Sequence, residues 1–194
     1  GYAYMKMYPD AEGTFVFHDR NNTKYCEFTV QLIKNAIEAL KYLTLSDEEC
    51  EWATKNISYI PQFYWEWLKG FRFDPNKVGI NREPDGTLQI IVTDKLYKAT
   101  LYEVPILAII SSVLCSTYVY DVGTMYKNLE SKVKLSNEEQ LYFSEFGTRR
   151  RYNYQVQHDV VKYLSENAHF CTGTSNVHLA MKFNMKPIGT VAHE

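Results

Sequence analysis

From about Leu141 the chain repeats one grammar, and that repetition restricts its fold more than any other feature. Leu141 to Phe146 reads as a strand, and Val156, Val160 and Leu164 mark the apolar face of the helix that follows. His169 to Thr172 reads as a second strand, a short helix starts from Asn176, and Pro187 to Ala192 reads as a third strand. Strand, helix, strand, helix, strand at intervals of roughly 20–25 residues is a parallel β/α pattern. Such folds collect function at the carboxyl ends of their strands, in the βα loops.

The residues before this region are mixed. Thr14 to His18 alternates, with Phe15 and Phe17 on one face, and predicts a strand. Phe28, Leu32, Ala36, Leu40 and Leu43 recur at helical spacing and predict an amphipathic helix over 27–43. Ser46 followed by Glu49 is a capping box for the next helix. Pro61 suits the first turn of a third, ending near Gly70. Pro84-Asp85-Gly86 is a turn between strand-like runs at 77–82 and 87–93. Val104 to Tyr118 then reads as a buried helix, and Val122 to Leu129 as another. The expected fold class is α/β. Residues 1–120 form an N-terminal α/β domain, and residues 121–194 form the first part of an irregular β/α barrel carrying the active-site motifs. An open doubly wound sheet is the alternative architecture. Gly1 to Met7 reads like the middle of a helix without a cap, and the last strand ends two residues before the chain does. The expectation is a fragment.

Charge and cysteine usage exclude several classes. Lys and Arg number 21 against 23 Asp and Glu, a net charge of −2, so nothing draws the chain generally to nucleic acid or an anionic membrane. Any anion site must be local. The 4 cysteines, Cys26, Cys50, Cys115 and Cys171, are widely spaced without a CxxC pair. That pattern predicts thiols in a reducing cytoplasm and not a disulfide framework or zinc knuckle. The longest apolar run, Val104 to Cys115, carries Pro105 and two serines and falls short of the roughly 18–20 residues of a membrane span. His18, His158, His169 and His178 show no convincing metal-ligand spacing, and no metal site is expected.

Each of the three strand ends carries unusual residues. Phe146-Gly147-Thr148-Arg149-Arg150-Arg151 puts three arginines where a helix should begin, at the positive end of its dipole. A bound carboxylate or phosphate would offset that penalty through bidentate contacts; a solvated basic turn is the plainer alternative. Gly173-Thr174-Ser175-Asn176 suits a phosphate or carboxylate cradle, or equally an ordinary N-cap. Gly189-Thr190-Val191-Ala192-His193-Glu194 places a histidine just past a strand, where it can serve as nucleophile or acid–base group, or be a plain surface residue. Arg20, after the first strand, could reach an anion or lie in an exposed loop. Three adjacent strand ends with such residues weigh more than any one of them.

In order and spacing, those three segments resemble the signature segments of nicotinate phosphoribosyltransferases. Tyr2-Ala3-Tyr4, Phe71-Arg72-Phe73 and the stretch from Tyr102 to Ile110 are similar to further family segments, so the resemblance covers essentially the whole chain. It implies an enzyme that joins nicotinate to phosphoribosyl pyrophosphate, assisted by ATP and Mg²⁺. The products are nicotinate mononucleotide and pyrophosphate, for NAD biosynthesis in the cytoplasm. By the family pattern Phe146 stacks on the pyridine, Arg149 contacts substrate anions, and Thr148, Gly173 and Thr174 complete the substrate site. Ser175 lies beside the pyridine carboxyl group; nicotinamide-using relatives tend to carry an acidic residue there. His193 matches the histidine that the family phosphorylates from ATP. Arg20 resembles an arginine given across the interface of a homodimer with a shared active site. No nucleic-acid or membrane partner is implied. The family's segment before Gly1 and the second half of its barrel are missing, so the isolated residues are expected to be inactive. The alternatives are a nicotinamide or quinolinate phosphoribosyltransferase, or a non-catalytic binding fragment of the same fold.

Overall fold

Alternation in the first half builds an antiparallel sheet, and helical periodicity covers one face of it. The computed structural model describes residues 1–116 and 121–189. In chain order the elements are α1 (Tyr2–Met7), β1 (Glu12–Val16), α2 (Glu27–Glu38), α3 (Asp47–Asn56), α4 (Gln62–Gly70), β2 (Val78–Arg82), β3 (Leu88–Lys95), α5 (Leu96–Ala99) and α6 (Glu103–Ser116). There follow α7 (Val122–Glu138), β4 (Phe143–Glu145), α8 (Tyr154–Asn167), β5 (Cys171–Thr174) and α9 (Val177–Lys182).

The first sheet has the order β1-β3-β2, antiparallel throughout, with Phe15 opposite Val92 and Ile80 opposite Ile90. The predicted turn between β2 and β3 is present: Gly86 sits at φ +87, where an L side chain is strained, and Asp85 accepts from the Thr87 backbone. Leu88, Ile90 and Val92 alternate inward on β3 and meet Val30, Ile33 and Ile37 of α2 and Ile106 and Ile110 of α6. Burying an isoleucine or leucine contributes roughly 1.5–3 kcal/mol, so this cluster is the main stabilising core. A second cluster joins Cys50, Ala53 and Ile57 to Tyr64 and Trp65 of α4. The capping box is formed as expected, Ser46 accepting from the Glu49 backbone and Glu49 from the Ser46 backbone.

Leu96–Ser116 is a helical stretch of 21 residues, apolar and long enough to cross a membrane by length and composition alone. It is longer than the apolar run visible in the sequence because α5 and the turn after it lead straight into α6. Ala99, Tyr102, Ile106 and Ile110 are buried against α2 and the sheet, and Ala108 is buried as well, so one side of the stretch packs into the core. No disulfide joins the cysteines among the described residues.

The second sheet is parallel, as the sequence grammar requires. β4 pairs with β5, and Thr174 makes a further parallel bridge to Pro187. Val161 and Leu164 of α8 and Leu179 and Ala180 of α9 are buried behind it. The α/β class therefore stands. Several boundaries moved. α7 runs on to Glu138 because Val133 and Ser136 extend its buried side among the charged residues that hide the period. β5 lies two residues later than 169–172, so Gly173 and Thr174 belong to the strand and not to the loop after it. The strand read at 187–192 is described only through Ile188 and Gly189, where Ile188 N–H donates to the Thr174 carbonyl at 3.0 Å; Thr190 onwards lies outside the described residues.

Candidate functional site

Two strand-end motifs meet where β4 and β5 finish side by side. The Ser175 N–H donates to the Glu145 carbonyl at 2.9 Å, which carries the pairing past the end of both strands. The Glu145 side chain turns back over the same place. One carboxylate oxygen accepts from the Gly147 N–H and the other from the Thr174 hydroxyl. Thr174 is fully buried, and its Oγ1 also accepts from the Asn176 N–H at 3.1 Å. A side chain at 147 would put its Cβ 2.5 Å from the Glu145 carboxylate, so a residue other than glycine would make that carboxylate shift and give up its place on the 147 N–H.

The arginines do not sit on the first turn of a helix. Thr148–Arg150 is a single 3₁₀ turn, and α8 starts only at Tyr154, where Asn153 caps it through the Val156 N–H at 2.8 Å. The helix-dipole penalty inferred from the sequence therefore does not act on them, because the effect fades within the first turn. Their environments differ instead. Arg149 is half-exposed and pairs with Glu103 of α6 at 2.8 Å. Arg150 is exposed. Arg151 is half-buried, and burial lowers its pKa; its Nη1 donates to Gln157 at 3.3 Å.

Gln157 is buried on α8 and draws the two motifs together. Its Nε2 donates to Thr148 Oγ1 at 2.7 Å, while its Oε1 accepts from Arg151 and from Asn176 Nδ2 at 3.4 Å. Asn176 also donates to Thr148 at 3.3 Å. Asn176 caps α9 as well, accepting from the Leu179 N–H at 3.0 Å, so the ordinary N-cap reading of this motif holds beside any binding role. Gly173 has φ +150, and a Cβ there would lie 2.2 Å from the Lys186 carbonyl oxygen.

Of the residues picked from the sequence, Thr148, Gly173, Thr174, Ser175 and Asn176 come together with the base of the Phe146 segment. Phe146 is 44% exposed, its ring available to a partner. Arg20 lies in an exposed loop shaped by Asp19, which accepts from Asn21, Thr23 and Tyr25, and among the described residues no hydrogen bond or ion pair joins it to the strand ends. His193 lies outside the described residues. Sequence reading missed Glu145, Gln157 and Glu103. Gln157 was signalled by a polar side chain on the same helix face as Val161 and Leu164; Glu145 and Glu103 carried no signal of their own. Among the described residues no group of three or more His, Cys, Asp or Glu side chains could hold a metal ion.

Known proteins similar to this chain share one family name. Residues 1–111 match the nicotinate phosphoribosyltransferase N-terminal domain, and residues 141–194 match the nicotinate phosphoribosyltransferase family. A nicotinate phosphoribosyltransferase of Chromohalobacter salexigens is 31% identical over 99% of this chain and 50% of its own length. The crystal structure of nicotinate phosphoribosyltransferase from Porphyromonas gingivalis superposes with a TM-score of 0.95 at 38% identity, covering 100% of this chain and 50% of that one. A putative nicotinate phosphoribosyltransferase from Saccharomyces cerevisiae does so with a TM-score of 0.89 at 27% identity, covering 98% of this chain and 51% of that one. The chain thus spans about half the length of the relatives it matches.

Proposed function

The chain belongs to the nicotinate phosphoribosyltransferase family, and on that premise we propose that it carries part of the site that joins nicotinate to phosphoribosyl pyrophosphate. The pyridine nitrogen forms a bond to the ribose anomeric carbon, the bond from that carbon to pyrophosphate breaks, and nicotinate mononucleotide and pyrophosphate are released. The observation that carries the reading is the hydrogen-bonded junction of the two strand-end motifs, Ser175 to Glu145 and Asn176 to Thr148.

In this reading residues 1–120 are the N-terminal domain and 121–194 the first part of the barrel. Phe146 stacks on the pyridine ring. Arg149 turns from Glu103 to a substrate anion, an exchange made easy because a surface ion pair is worth only about 0–1 kcal/mol. Thr148, Gly173 and Thr174 shape the pocket, and Ser175, uncharged, accommodates the acid in place of the amide. His193 accepts phosphate from ATP and couples its hydrolysis to synthesis. Arg20 acts across a homodimer interface, where a partner subunit would bring it to the pyrophosphate. The described residues offer Mg²⁺ no cage of their own; the ion would be carried by the substrate phosphates, which suits its preference for oxygen and water ligands. The working place is the cytoplasm, without nucleic-acid or membrane partners.

The test is made on the full-length protein, with phosphoribosyl pyrophosphate and each of nicotinate, nicotinamide and quinolinate, with and without ATP. Nicotinate mononucleotide formation that ATP stimulates is expected. A preference for nicotinamide would overturn the role of Ser175, and no turnover with any substrate would favour a non-catalytic relative. Labelling from γ-labelled ATP should disappear in His193→Ala; persistence would remove His193 from the mechanism.

A further inference from the structure

The Gln157 side chain has one orientation that its neighbours accept. A guanidinium can only donate, so the Gln157 atom facing Arg151 Nη1 at 3.3 Å is the oxygen, Oε1. Asn176 gives the same answer. Its Oδ1 accepts from the Leu179 N–H, which turns its Nδ2 toward Gln157 Oε1 at 3.4 Å. Exchanging oxygen and nitrogen on Gln157 would set donor against donor at both places. Nε2 is therefore fixed on Thr148 Oγ1, to which it donates at 2.7 Å.

The same order passes on to the threonine. Thr148 Oγ1 also accepts from Asn176 Nδ2 at 3.3 Å, so both of its lone pairs are taken. Its own proton is left over, and among the described residues nothing accepts it. Gln157 is buried, whereas Thr148 is half-buried and lines an open cleft of about 550 Å³. The direction of donation runs outward, from Arg151 to Gln157, from Gln157 to Thr148, and from Thr148 into the cleft. We propose that Gln157 is a positioning residue that makes Thr148 a fixed hydrogen-bond donor to an anionic oxygen of the bound substrate, a role that rests on the function proposed above. A free hydroxyl rotates to suit its partner; here an inward turn would set the proton against one of two donors. The donor is thus oriented before a ligand arrives, which spares the cost of ordering it on binding. Carboxylate and phosphate oxygens are the matching chemistry, because they only accept.

Calorimetric titration of the full-length protein with nicotinate and, separately, with phosphoribosyl pyrophosphate tests this, beside turnover with both. Gln157→Glu reverses the order, since a carboxylate only accepts: Thr148 turns its proton inward and offers lone pairs to the ligand. The new carboxylate keeps Arg151, Asn176 and Thr148 as donors, so the thermal midpoint should hold or rise. Affinity for one of the two substrates should fall about tenfold or more, the effect of losing a hydrogen bond to a charged group. The substrate affected identifies the oxygen. The added charge by itself also repels anions, and a double variant separates that from an effect through Thr148. Thr148→Val should weaken the same substrate, Thr148→Ser should not, and adding Gln157→Glu to Thr148→Val should weaken it further by no more than about twofold. Should Gln157→Glu fail to fold, Asn176→Asp takes its place, because it keeps the N-cap and likewise offers Thr148 only an acceptor. The proposal falls if the reversing variant binds both substrates like the parent, if its effect multiplies with that of Thr148→Val, or if Thr148→Ser is as weak as Thr148→Val. A parent that turns over with any of those results loses this proposal and keeps the catalytic reading. The expected binding pattern without turnover removes only the catalytic reading, and a parent that binds neither substrate removes both.

Discussion

Gly173→Ala tests whether the strand end is held by backbone that only glycine can form. Gly173 sits at φ +150 in β5, and a Cβ there would lie 2.2 Å from the Lys186 carbonyl oxygen and 3.1 Å from its carbon. A positive φ of this kind costs an L residue about 1–3 kcal/mol. The close contact is with backbone, which cannot rotate away, so the carbonyl itself must move. That carbonyl accepts from the Thr174 N–H at 3.1 Å. Thr174 is fully buried, and leaving its N–H unpaired costs about 1–3 kcal/mol. Reduced freedom of the unfolded chain returns about 0.4–1 kcal/mol. The net expectation is a loss of about 3 kcal/mol, a large share of the roughly 5–15 kcal/mol that holds a domain together. At about 2–4 °C per kcal/mol for a chain of this size, the thermal midpoint should fall by about 6–12 °C. Urea unfolding of the 194-residue chain gives the free energy directly. Gly70→Ala is the control, since nothing lies within 4 Å of a Cβ at that position. A Gly173→Ala loss below about 1 kcal/mol, or one no larger than the control, would refute the reasoning, because the backbone would then have found another path at little cost.

Three further outcomes are expected. Ile33→Ala, at a fully buried position between α2 and the sheet, should cost about 2–5 kcal/mol in urea unfolding; a cost under 1 kcal/mol would mean that the helix does not pack as described. Burial acts to raise the pKa of Glu49, but the Ser46 N–H and the His178 ring outweigh it and hold the carboxyl below its ordinary 4.5. A depressed carboxylate stabilises fully above the ordinary value and loses that contribution as pH falls through the lower folded value. Glu49→Gln should therefore flatten the pH profile of the unfolding midpoint as pH falls below the ordinary carboxylate value, and a profile parallel to the parent's would show that these contacts contribute nothing. Arg149→Met should change stability by less than about 1 kcal/mol, since its pair with Glu103 is at the surface, yet, on the function proposed above, raise KM for nicotinate in the full-length protein; unchanged KM would take Arg149 out of the proposed site.

The periodic elements were legible because each satisfies a local rule. The capping box at Ser46 and Glu49 and the turn at Pro84-Asp85-Gly86 need only neighbours in sequence. The inward alternation of Leu88, Ile90 and Val92 needs only one buried face. The β/α order followed from period and length together. β5 was misplaced by two residues because glycine usually marks the end of a strand, whereas Gly173 continues it with a backbone no other residue would accept. The arginines were placed on a helix that begins later, because the one-turn 3₁₀ segment before Asn153 has no periodicity to read.

The site shows the same limit from another side. Residues at the strand ends could be named from their position, but the side chains that join them lie elsewhere. Glu145 precedes its motif and faces back, and Gln157 sits on the far side of a helix turn; each binds two separate segments at once. Such bonds bridge 29 residues between Glu145 and Thr174 and 19 between Gln157 and Asn176, distances at which no local pattern constrains the residue type. The consequence concerns charge as much as geometry. Glu145 accepts from a glycine N–H and a hydroxyl, and Gln157 is neutral, so neither neutralises an arginine. Among the described residues, the carboxylate paired with a strand-end arginine is that of Glu103, on α6 of the first half. The strand ends are therefore braced by hydrogen bonds that keep positive charge available, and the surface pair with Glu103 is weak enough for an anionic ligand to exchange with it.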